Sequence, residues 1–166
     1  MKIMPRFILA ALWLTAVASA QVDDILRQLR DPASPTVLVT AHRADWRNAP
    51  ENSLNAIRRA IRLGVDIIEV DVRRTKDGKF VIIHDRTLDR TTTGKGLVAE
   101  HTLAKLRKLR LLAATGHPTD EKIPTLEEAL EAVRGRALSE VEPEVGTAGG
   151  VGDHVERGRL GGAPDR

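Results

Sequence analysis

Glu69 and Asp71 stand two residues apart in Val65 to Val72, a largely apolar run. On a strand, residues two apart project from the same face, so both carboxylates share one apolar setting. Buried carboxylates need a cation. Hard oxygen donors with no cysteine nearby favour Mg²⁺ or Ca²⁺ over Zn²⁺, while an ion pair with Arg43, Arg73 or Arg74 is the plainer alternative. His42 directly follows one β-prone run and His84 another, so in a parallel sheet both emerge at the rim that carries the carboxylates. Two bases, two carboxylates and a cation suit phosphodiester hydrolysis, which needs charge neutralisation on the phosphoryl oxygens, a base for the nucleophile and an acid for the leaving oxygen. Arg43 offers a planar donor for phosphate, or a counter-charge for Glu69. Glu51 and Asn52 belong to Pro-Glu-Asn-Ser, which serves equally as a site element or as a helix cap.

The elements that must position these groups are readable in order. Residues 23–30 form an amphipathic stretch stopped by Pro32 and Pro35, and Thr36 to Thr40 is a first strand. Asn52 or Ser53 caps a helix whose Leu54, Ile57 and Ile61 follow helical spacing, and Gly64 ends it. Val65 to Val72 is a second strand. Asp77-Gly78 turns the chain into a third, Phe80 to Ile83, which delivers His84 and Asp85. Helices are expected at Thr102 to Leu112 and at Thr125 to Val133, the latter opened by a Thr125/Glu128 capping box, and a fourth strand at Ala137 to Val141. Apolar strands alternating with amphipathic helices predict a parallel sheet covered by helices, a TIM-type (β/α) barrel. Such a barrel takes about 250 residues, so 166 residues encode about its first half.

Composition narrows the function classes. Lys2 and Arg6, the apolar run Phe7 to Val17 and Ala18-Ser19-Ala20 read as a leader peptide, predicting export to the periplasm or exterior and no stable membrane span after cleavage. Without Lys2 and Arg6 the net charge of +3 becomes +1. Near-neutral charge, with Trp46 and Phe80 as the aromatics beyond the leader, excludes a nucleic-acid binder, and the absence of cysteine excludes a disulfide framework. Residues 139–166 hold seven of the thirteen glycines without apolar periodicity, which predicts a disordered or out-of-frame tail. The expected division is 1–20 leader, 21–35 lead-in, 36–138 partial barrel and 139–166 tail.

Ala41-His42-Arg43, Pro50-Glu51-Asn52-Ser53, Glu69-Val-Asp71, Lys76-Asp77-Gly78, His84-Asp85, Asp89-Arg90-Thr91-Thr92 and Ile123-Pro124-Thr125-Leu126 together resemble the glycerophosphodiester phosphodiesterase family. The resemblance runs from about Thr36 to Ala137. It implies a TIM barrel that hydrolyses glycerophosphodiesters to glycerol 3-phosphate and an alcohol with a divalent cation. It further implies His42 and His84 as general acid and base, Arg43 as a phosphate contact, Glu51 as a supporting residue, and Glu69 and Asp71 as metal ligands. Glu142 stands where the family has a third metal-binding Glu, Pro143 interrupts that strand's hydrogen bonding, and Glu144 stands where the family has a substrate-binding Lys. Two other readings stay open. The chain is an inactive fragment with at most noncatalytic metal or phosphate binding and self-association through exposed barrel edges, or an enzyme for another phosphodiester.

Overall fold

The computed structural model describes residues 21–143, so the leader at 1–20, Glu144 and the tail beyond it lie outside the described residues. The helix over 21–30 is α1; β1 is Thr40–Ala41, α2 Leu54–Arg62, β2 Ile67–Arg74, β3 Phe80–Ile82, α3 Leu103–Leu106, α4 Leu126–Val133 and β4 Leu138–Pro143. The sheet is built around β2. On one edge, β1 pairs in parallel with its first residues (Thr40 with Ile67, Ala41 with Ile68), and β3 pairs antiparallel with its last (Val72 with Ile82, Arg74 with Phe80). On the other edge β4 runs parallel over six positions, from Ile67 opposite Leu138 to Val72 opposite Pro143.

Three expectations are corrected by this topology. β3 is the return arm of a hairpin and not a parallel barrel strand, because Thr75 to Lys79 is far too short for the crossover of a dozen or more residues that parallel pairing demands. Gly78 takes φ +75° in that turn and its N–H reaches the Thr75 carbonyl at 3.0 Å. The first strand is shorter than residues 36–40, since β2 offers a partner only from Ile67 onward; Val37 and Val39 are exposed. The helix expected over Thr102 to Leu112 is a single turn. Its cap Thr102 makes no side-chain capping bond, the first amide is satisfied instead by Asp77 Oδ1 at 2.9 Å, and Leu111 leaves to bridge with Thr92. The tail boundary at 139 also moves, because β4 carries regular structure to Pro143.

Other local rules hold. Ser53 caps α2 by accepting from the Ala56 N–H, and Gly64 beyond its end takes φ +76°. Thr125 and Glu128 form the reciprocal capping box of α4, and Arg107 grips the same Glu128 carboxylate with two hydrogen bonds of 2.8 and 2.9 Å. α2 and α4 bury Ala56, Ile57, Ala60, Ala129 and Val133 against Ile68, Val70 and Val72, the even-numbered face of β2. A second core, with Val81, Ile83, Leu88, Val98, Leu106, Leu111 and Ile123, supports the excursion between β3 and α4. The parallel β1–β2–β4 sheet backed by helices is part of a TIM barrel, and the odd-numbered face of β2 is its interior.

These packing differences give a direct stability test. Ile68→Ala, at a fully buried site, should lower unfolding free energy by about 2–5 kcal/mol. Val37→Ala, at a position 83% exposed, should change it by less than about 0.5 kcal/mol. Urea unfolding measures both, and equal losses would contradict the assigned core.

Candidate active site

The inner face of β2 presents Glu69, Asp71 and Arg73 in succession, all buried. His42 arrives from β1 running with β2, and His84 arrives from β3 running against it, along the same edge. The Ile83 N–H donates to the Asp71 carbonyl at 2.9 Å, which fixes the level at which His84 enters. Both histidines therefore reach the carboxylate level, by approaches from opposite directions rather than from two parallel strand ends. Arg73 Nε donates to the His84 carbonyl at 2.7 Å and holds that approach in place.

The loop after β1 is bent around the carboxylates. Arg43, Ala44 and Asn52 adopt positive φ of 53°, 61° and 57°, a conformation unfavourable for Arg and Ala that the surrounding contacts must impose. In return, the Arg43 N–H points at Glu69 Oε2, 2.7 Å away, and the Asn52 N–H donates to the Arg43 carbonyl at 3.2 Å. Asn52 clamps Asp71 twice: Nδ2 donates to Oδ2 at 2.6 Å and Oδ1 accepts from the Asp71 N–H at 3.3 Å. Of the two roles weighed for Asn52, contact with Asp71 is the one it fills, and the cap falls to Ser53. Arg43 Nε forms an ion pair with Asp71 Oδ2 at 3.4 Å without a hydrogen bond, and Nη1 donates to Glu51 Oε1 at 3.3 Å.

Glu142 joins this group from β4. It sits opposite Asp71 in the register, and ligand oxygens of Glu69, Asp71 and Glu142 all lie within 4.8 Å of one another. Pro143 does not interrupt the pairing ahead of it: the register on β2 runs unbroken from Leu138 to Pro143. Among the described residues Glu69 Oε1 is buried and has no hydrogen-bond partner. An orphaned buried oxygen inside three carboxylates fits a hard divalent cation, since only a cation or donor at that point offsets the desolvation. Burial pushes the Glu69 carboxyl above its usual range, opposed by the Arg43 amide and reinforced by the charges of Asp71 and Glu142.

Glu51 is fixed from outside. Arg90 donates to it from Nη1 and Nη2 at 2.7 and 2.8 Å, and to Asp85 from Nε and Nη2 at 2.7 and 2.9 Å. Burial raises the Glu51 carboxyl, but the hydrogen bonds and charge of Arg90, with the charge of Arg43, outweigh it and leave the group below its usual range. Arg90 likewise holds Asp85 far below the carboxylate range, aided by His84, whose Nδ1 lies 2.7 Å from Asp85 Oδ1. Sequence reasoning placed Arg90 and Asp85 in motifs without giving either a role. No local pattern in the sequence assigns them one, because the partners of Arg90 at 51 and 85 meet only in the folded chain.

A cavity of about 140 Å³ lined by His42, Arg43, Trp46 and Glu51 opens beside the carboxylates. Trp46 and Glu51 also border a second cavity of about 330 Å³ with Arg90, Thr91 and Leu112. The arrangement can hold a small anion next to a cation, with two imidazoles at the same level and a larger recess alongside.

Residues 42–156 match the glycerophosphoryl diester phosphodiesterase family. A glycerophosphodiester phosphodiesterase of Caldanaerobacter subterraneus subsp. tengcongensis is 50% identical over 97 residues, covering 58% of this chain and 40% of that protein. The crystal structure of a glycerophosphoryl diester phosphodiesterase from Parabacteroides distasonis superposes with TM-score 0.65 at 34% identity, over 72% of this chain and 42% of that one. An Oleispira antarctica phosphodiesterase in complex with the product sn-glycerol-3-phosphate superposes with TM-score 0.59 at 37% identity, over 65% and 45%. The chain spans less than half the length of each of these relatives.

The raised Glu69 carboxyl has a definite sign for stability. The folded chain holds that proton more tightly than the unfolded chain, so Glu69's contribution is fully present below the ordinary glutamate value of about 4.3 and is lost as pH rises through the higher folded value. In chelator, the melting temperature of the unaltered chain should therefore fall relative to Glu69→Gln as pH rises through that window. A pH-independent difference between the two melts would rule out the burial effect.

Proposed function

The chain belongs to the glycerophosphoryl diester phosphodiesterase family, and from that premise we propose that it hydrolyses glycerophosphodiesters to glycerol 3-phosphate and an alcohol. The observation that carries this reading is the meeting of His42, His84, Arg43 and the Glu69–Asp71–Glu142 carboxylates at one level of β2. Glu69, Asp71 and Glu142 would hold a divalent cation, Mg²⁺ or Ca²⁺ by the hardness of their oxygens. When bound, that cation supplies charge neutralisation for the phosphoryl oxygens. Arg43 binds the phosphate and orients it, with Glu51 fixing the guanidinium from behind. Water adds to phosphorus as the bond from phosphorus to the alcohol oxygen breaks. One imidazole takes the proton of the attacking water and the other gives a proton to the departing oxygen, so His42 and His84 serve as base and acid. The P. distasonis, O. antarctica and C. subterraneus relatives carry the phosphodiesterase name, and the O. antarctica complex holds a product of this class.

The recess bordered by Trp46, Glu51, Arg90 and Leu112 is the place for the alcohol. The leader signature of residues 1–20 supports an exported setting for the reaction. One observation favours a second reading, in which the chain alone binds metal or phosphate without turnover. Among the described residues β1 and β4 each pair on one side only, which leaves strand edges open to self-association.

The deciding experiment is release of glycerol 3-phosphate from glycerophosphocholine by the full chain, with Mg²⁺, with Ca²⁺ and with chelator, alongside thermal melts. Turnover abolished by chelator is expected. His42→Ala and His84→Ala should each lower it by about 10²–10⁴-fold while the cation still raises the melting temperature. Glu69→Gln should lose both effects. A cation-dependent melt with no turnover supports the binding reading, and neither effect would sink both.

A further inference from the structure

Arg90 takes no part in the chemistry set out above, yet it spends both forks of its guanidinium on the site. Nε and Nη2 hold the two oxygens of Asp85, while Nη1 and Nη2 hold the two oxygens of Glu51. Both pairings are bidentate, which fixes orientation as well as distance. Its side chain is 48% exposed, so attraction across this distance alone would contribute little. The backbone that presents it is held firmly: Thr92 returns two bonds to the Leu88 carbonyl, from N–H at 3.1 Å and from Oγ1 at 2.7 Å, and Gly94 N–H donates to Thr92 Oγ1 at 2.9 Å. The segment carrying Arg90 is therefore a fixed bracket that spans residues 51, 85 and 90.

Asp85 is the link from that bracket to His84. Above the ordinary carboxylate range Asp85 is ionised with or without Arg90, whose two hydrogen bonds fix where its oxygens lie, and an ionised carboxylate only accepts hydrogen bonds. The hydrogen between His84 Nδ1 and Asp85 Oδ1, 2.7 Å apart, therefore belongs to the ring. In a neutral imidazole the partner of one nitrogen decides the state of the other. We propose that Arg90 is a positioning residue: by locking Asp85 it holds His84 in the Nδ1–H tautomer and leaves Nε2 as the nitrogen that exchanges a proton with the substrate. The same guanidinium shares Glu51 Oε1 with Arg43, so one bracket keys the proton-transfer ring and the phosphate-binding arginine to each other. A lysine, a point charge without the planar fork, cannot reproduce both pairings. This inference rests on the assignment of His84 to proton transfer.

The tautomer itself is measurable without turnover. Long-range ¹H–¹⁵N spectra of the full chain in alkaline buffer, with the His84 signals identified by their loss in His84→Ala, should show Nδ1 protonated and Nε2 unprotonated. Arg90→Ala and Asp85→Asn should both move the ring toward the Nε2–H form, and Arg90→Lys, which keeps charge at a half-exposed position, should fall between. In the coupled assay Arg90→Ala should lower kcat about 10–100-fold, as loss of an outer partner does for metal-bound imidazoles, with a smaller rise in KM because Arg90 also holds Glu51 and borders the recess. Adding Asp85→Asn should cost little more, because two residues acting through one contact are not additive. An unchanged His84 spectrum in Arg90→Ala, or a raised KM at unchanged kcat, overturns the proposal. Full turnover in His84→Ala with the tautomer shift intact would instead overturn the catalytic role of His84 and leave the positioning geometry standing.

Discussion

A carboxylate removed from water has to meet donors or positive charge, and β2 removes two at once, Glu69 and Asp71, on the inner face of a strand whose other face is apolar and buried from Ile68 to Val72. Much of the surrounding backbone follows from that demand. The loop after β1 accepts three left-handed residues, two of them costly, so that an amide and an amide side chain can be aimed at the two acids. Arg43 lies alongside Asp71, and Glu142 enters on β4 as a third like charge. Among the described residues one Glu69 oxygen is left without a donor, and that deficit of positive charge is what the proposed cation would make good.

The scaffold is layered accordingly. The core under α2 and α4 holds β2 from behind, and the separate core of the excursion holds β3, Leu88 and the turn that follows. The site lies along the seam between the two. His42, Arg43 and Asn52 come from the barrel side, His84, Asp85 and Arg90 from the excursion, and the hydrogen bonds from Arg90 to Glu51 and from Arg73 to His84 stitch one side to the other. Positioning across such a seam depends on bidentate and backbone contacts, because packing within either core does not fix the relation between them.

Much of this was legible in the chain. The alternation in Val65 to Val72 put both acids on one face, Ser53 and the Thr125/Glu128 pair marked their helices, and the motif set named the histidines and Arg43. The direction of β3 was equally available, since five residues from Thr75 to Lys79 cannot carry a crossover, but hydrophobic patterning is blind to strand direction and loop length had to be given priority. The one-turn α3 lost to tertiary pairing of Leu111, which no local rule reports. Arg90 stayed hidden for another reason: its partners at 51 and 85 are meaningful only once the excursion has folded back, so its value is a property of three-dimensional placement.

The alignment of β4 on β2 carries a further consequence. Side chains alternate faces along a strand, so a slip of one position would swing Glu142 out of the interior and bring Val141 or Pro143 to its level. The native alignment is the one that crowds three negative charges together, and on electrostatic grounds alone it is the least comfortable. The cation proposed for those carboxylates would reverse the preference. The proposed ion would then proofread strand pairing between segments some seventy residues apart, and fidelity of assembly would become a function of the salt in which the chain folds.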